Sequence, residues 1–68
     1  MIVVHRLGQP ADPLHLNPDL IATIEAHPDT VVTLTTGAHM VVDERPEEVA
    51  EAVLRYRSAI VAAALARD

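Results

Sequence analysis

The sequence predicts an α+β fold, a small antiparallel β-meander of about five strands followed by one C-terminal amphipathic helix. Two observations carry this expectation. Short β-branched runs separated by Pro- or Gly-containing turns recur through residues 1–44, and from Pro46 the apolar spacing changes to the helical period of about 3.6 residues. A chain of 68 residues has room for one domain, read as sheet over 1–44 and helix over 45–68.

The first strand is expected over Ile2 to Arg6, which is β-branched and apolar until His5. Gly8-Gln9-Pro10-Ala11-Asp12-Pro13 then holds one Gly and two Pro, so it reads as a loop, and Leu14 to Asn17 as a return strand completing a hairpin. Two related phrases follow, Asn17-Pro18-Asp19-Leu20-Ile21 and His27-Pro28-Asp29-Thr30-Val31. Each sets Pro at the second position of a turn before a β-branched run, so one turn solution is expected twice in a meander. Val31 to Thr35 and Ala38 to Asp43 form the last hairpin around Thr36-Gly37, with Gly37 supplying a positive φ. Alternation places Val32 and Leu34 on one face and Thr33 and Thr35 on the other.

Pro46 suits the first helical position, and Glu47 and Glu48 complement the positive end of the helix dipole. The helix is expected to reach about Ala66. Val49, Val53, Tyr56, Ile60 and Ala63 fall on one stripe, assigned to covering the sheet. Ala50, Leu54, Val61 and Leu65 fall on an adjacent stripe that a single sheet does not need, and are expected to form a protein interface. Glu47, Glu51, Arg55 and Ser58 share the solvent face, with Glu51 and Arg55 at ion-pair spacing.

Composition narrows the function. The chain has no Cys, Phe or Trp and a single Tyr, so disulfides are excluded and the core must be aliphatic. A core this light rarely supplies more than about 3 to 5 kcal/mol, and self-association is a common remedy. A net charge of -5, with five arginines scattered among ten carboxylates, argues against nucleic-acid binding. The longest apolar run, Ala59 to Ala66, falls far short of the roughly 20 residues of a membrane span, and no export signal is read at the N-terminus. A soluble protein without direct membrane insertion is expected.

The residues offer little for catalysis or cofactors. Asp43-Glu44 and Glu47-Glu48 are paired carboxylates, but all four flank the helix start, where dipole and solubility roles suffice. Ser58 lies on the solvent face, and Gly8 and Gly37 open no phosphate-binding helix. Four histidines raise a metal alternative, since a first hairpin centred on Pro10 would set His5 opposite His15, yet no set at a recognised ligand spacing accompanies them. The expectation is a non-enzymatic binding module with no cofactor and no metal.

Leu16-Asn17-Pro18-Asp19-Leu20-Ile21, Ile24-Glu25, Pro28-Asp29-Thr30-Val31-Val32-Thr33-Leu34-Thr35, Gly37, Val41-Val42, Glu48-Val49 and Tyr56-Arg57 stand in an order and spacing that resembles the FlbD family. These are small flagellar proteins also called SwrD or swarming motility proteins. The resemblance implies a cytoplasmic accessory factor of bacterial flagellar motility, supporting motor or stator power near the membrane at the flagellar base. It brings no catalytic residues. The partner expected is a second copy of the chain, a flagellar motor-associated protein, or both; a module regulating flagellar genes is the alternative. Two loops depart from the family pattern. The Gly8 to Pro13 loop replaces a shorter turn, and Thr36-Gly37 replaces an Asn-Gly hairpin.

Overall fold

A computed structural model describes residues 1–9, 11–26 and 28–66. The strands are β1 (Ile2–His5), β2 (Pro13–Leu16), β3 (Ile21–Ala26), β4 (Thr30–Leu34) and β5 (His39–Val42), with a 3-10 turn at Pro18–Leu20 and one helix, α1 (Pro46–Leu65). The α+β class is therefore met. Pro10, the expected centre of the first hairpin, and His27, the start of the second turn phrase, lie outside the described residues.

The meander is divided. β1 and β2 form a two-stranded antiparallel sheet, and β3, β4 and β5 a three-stranded one. The cause lies at Asn17, which closes β2 early: its side-chain oxygen accepts the Asp19 backbone N–H at 3.0 Å and caps the 3-10 turn. The chain leaves β2 through that turn rather than a hairpin, so β2 and β3 do not pair. The Pro28-Asp29 turn behaves differently and joins antiparallel β3 and β4. The two similar phrases thus do different things. Gly8 and Gly37 both take positive φ, 76° and 91°, as their loops require.

The two sheets meet where β1 runs past His5. Arg6 forms an antiparallel bridge with Val42, the Leu7 N–H donates to the Val41 carbonyl (3.1 Å), and the Asp43 N–H donates to the His5 carbonyl (2.8 Å). Side chains reinforce this corner. The Glu44 carboxylate accepts the His5 backbone N–H at 2.8 Å and lies 2.6 Å from His5 Nδ1, while Asp43 accepts the Gly8 N–H at 3.3 Å. Partial burial works against ionisation of Glu44, but the hydrogen bonds from the His5 side chain and backbone outweigh it and hold the carboxyl below its ordinary 4.5. Asp43 and Glu44 are thus tied to β1, a role beyond the helix-start function expected of them.

His5 and His15 do not face each other. The register sets His5 opposite Pro13 and His15 opposite Val3, because the loop is centred nearer the first strand than a Pro10 hairpin would be. His5 is instead engaged by Glu44.

The core is aliphatic, as composition requires. Ile2, Val4, Leu16, Val32, Val42 and Val49 are buried, with Leu34, Met40, Val53 and Tyr56 among the side chains packed around them. Val32 lies on the inner face of β4 with Thr30, which is also buried. α1 starts at Pro46, and the Arg45 N–H ahead of it donates to Glu48 Oε1 at 3.1 Å, one half of a capping box. The helix docks through Val49, Ala52, Val53 and Tyr56. There its covering role ends. Ile60 and Ala63, expected over the sheet, are exposed, because about 30 Å of helix outruns the short strands beneath it. The result is an elongated body of 45 × 25 × 18 Å.

Two outcomes follow for stability. Val49→Ala is expected to cost about 1.5–3 kcal/mol in urea unfolding, whereas Ile60→Ala in dilute solution should change it by less than about 0.5 kcal/mol. Equal costs for both would place the helix end in the core. Because the Glu44 carboxyl is held low in the folded state, its stabilisation is present above about pH 4.5 and is lost as pH falls through the lowered folded value. Glu44→Gln should therefore lower stability at pH 7 by about 1–3 kcal/mol and flatten the fall in stability as pH drops below about 4.5, measured by denaturant titration at each pH.

Candidate protein interface

The notable surface is the half of α1 that the body does not cover. Every described residue from Arg57 to Ala66 is exposed. Four large aliphatics on it or just before it stand in solvent: Leu54 at 65%, Ile60 at 52%, Val61 at 56% and Leu65 at 81%. Ala50 is exposed as well. This half remains helical without tertiary support because Ala59, Ala62, Ala63 and Ala64 have the highest helix propensity available. Single exposed aliphatics need no explanation, but several together on one helix face mark a surface suited to a partner.

At the base of this face lies an open groove of ≈ 260 Å³ lined by Pro18, Ile21, Ile24, Ala50, Val53 and Arg57. Its floor depends on an irregularity. The pairing of β3 with β4 shifts register between Ile21 and Thr23, so Ile21 and Ile24, three residues apart, both reach the groove. Strict alternation would send them to opposite faces, which is why strand periodicity does not reveal the groove. The Asp19 and Arg57 side chains approach to 3.6 Å, and both are largely in water.

The expected interface residues Ala50, Leu54, Val61 and Leu65 are therefore all accessible, and Ala50 also lines the groove. Pro18, Ile21 and Ile24 were outside that expectation. Ile60 joins the exposed set although its stripe was assigned to the fold.

Among the described residues, no group of three or more His, Asp or Glu side chains could hold a metal ion. No helix among them is long and apolar enough to cross a membrane. Near the helix start Asp43, Glu44 and Glu48 serve backbone and side-chain partners, and the Arg45 hydrogen bonds keep Glu48 below the usual range. The arrangement offers contact area and few polar anchors, which is the chemistry of association.

No curated protein and no solved structure matches the chain. A family described as FlbD, flagellar and swarming motility proteins, matches residues 1–61, which takes in both sheets and α1 as far as Val61. With nearly its whole length matched, the chain belongs to the FlbD family of flagellar and swarming motility proteins.

Proposed function

We propose that this protein is a non-enzymatic accessory factor of bacterial flagellar motility and swarming, supporting motor or stator power through protein–protein contacts. Its site of action is the cytoplasm near the flagellar base. Membership of the family supplies the setting, and the observation that carries the molecular reading is the uncovered apolar face at Leu54, Val61 and Leu65. Ala50 extends that face toward the groove. A net charge of -5 speaks against the alternative of a regulator that binds DNA directly.

The test is a deletion strain complemented with wild type or with a Leu54→Glu, Leu65→Glu double variant, scored for filament number, swimming speed and swarming. The deletion is expected to keep normal filaments and lose swarming. The double variant should accumulate to wild-type levels, since neither residue is in the core, and fail to restore swarming. Loss of filaments would indicate an assembly role instead, and full complementation by the double variant would remove the helix from the reading.

A further inference from the structure

We infer that the uncovered face of α1 pairs antiparallel with the same face of a second copy of this chain, each copy's helix end lying over the other's groove. This rests on the proposed function of the face and names its partner.

Ala50, Leu54, Arg57, Val61, Ala64 and Leu65 fall within an arc of roughly 100° along α1, so groove and helix end are successive parts of one strip. The pairs Ala50/Leu54 and Val61/Leu65 repeat at a spacing of 11 residues, which keeps them on a nearly straight line along the helix. Arg57 lies midway between Ala50 and Ala64, about 10 Å along the axis from each. A twofold axis at Arg57 therefore sets Ala64 of the second copy against Ala50, and Val61 of the second copy against Val53, over the groove. Leu65 reaches past them to its end. The same contacts are made in reverse on the other side, as an isologous interface requires.

Charge favours this occupant. Residues Ala59 to Ala66 carry no charged side chain, so burying that segment desolvates no ion. The charges at the proposed axis are Arg57 and its neighbour Asp19, 3.6 Å apart. The twofold gathers two guanidiniums and two carboxylates at the axis, so the charges brought together there balance. The alanines at 59, 62, 63 and 64 allow close approach of the two helices, and antiparallel alignment opposes their dipoles favourably. A parallel pair would set Ala64 against Ala64 and leave both grooves open.

The chain contains no cysteine, so single-cysteine variants of the full chain report proximity cleanly. Sedimentation over a concentration series is expected to give twice the 7.3 kDa protomer mass. Val61→Glu should halve that mass without changing the circular dichroism spectrum. Under mild oxidation Arg57→Cys should cross-link to itself, and a mixture of Ala50→Cys with Ala64→Cys should form the mixed disulfide. Ala64→Cys alone should not cross-link. A monomer at high concentration, a larger assembly, or self-cross-linking of Ala64→Cys would each overturn the inference. If wild type is monomeric while the Leu54→Glu, Leu65→Glu variant still fails to restore swarming, a different protein covers the face, and the proposed function survives. If the mapped dimer forms and Val61→Glu, now monomeric, swarms normally, the dimer stands and the face loses its role in motility.

Discussion

The architecture turns on the corner where β1 crosses β5, since neither sheet has enough apolar surface to stand apart from the other. The Arg6–Val42 bridge and the two adjoining backbone hydrogen bonds set the alignment of the sheets. Glu44 completes it by holding both the backbone and the ring of His5 immediately before the helix begins. That position matters because Val49, the innermost helical side chain, lies little more than one turn beyond. The corner therefore fixes the sheets relative to each other and also where the helix starts its descent onto them.

From that starting point the overhang of the helix is unavoidable. Strands of four to six residues offer a platform that α1 crosses within its first three turns. Beyond Arg57, which borders the groove, every described residue of the helix is exposed. Alanine maintains the helical backbone there by propensity, while Ile60, Val61 and Leu65 keep an apolar face that gains nothing from the body. A chain whose core is made of valines, isoleucine and leucine, with no large aromatic, has little stability to spend on such exposure. Membership of the flagellar and swarming motility family gives the chain a physiological setting.

The groove adds a further link between fold and recognition. It exists because the register shift in β3 turns both Ile21 and Ile24 toward the helix, and because the 3-10 turn delivers Pro18 to the same place. Only the 3-10 turn also separates β2 from β3. The turn that divides the sheet thus helps to shape the surface beside the helix.

Much of this was legible in the sequence, for reasons that are local. The turn residues placed five strands, Gly37 marked the last hairpin, and Pro46 with the acidic residues after it marked the helix start. Each depends on backbone preferences that act within a few residues. The apolar spacing of α1 likewise identified Val49, Val53 and Tyr56 as core and set Leu54, Val61 and Leu65 apart from them. Only the tertiary structure decided that Asn17-Pro18 ends a sheet while Pro28-Asp29 continues one, that His5 meets Glu44 rather than His15, and that Ile60 stands in water. Hydrophobic periodicity reports which face of an element turns from solvent. Whether enough protein lies beneath to cover it depends on the lengths and alignment of strands far away in the chain.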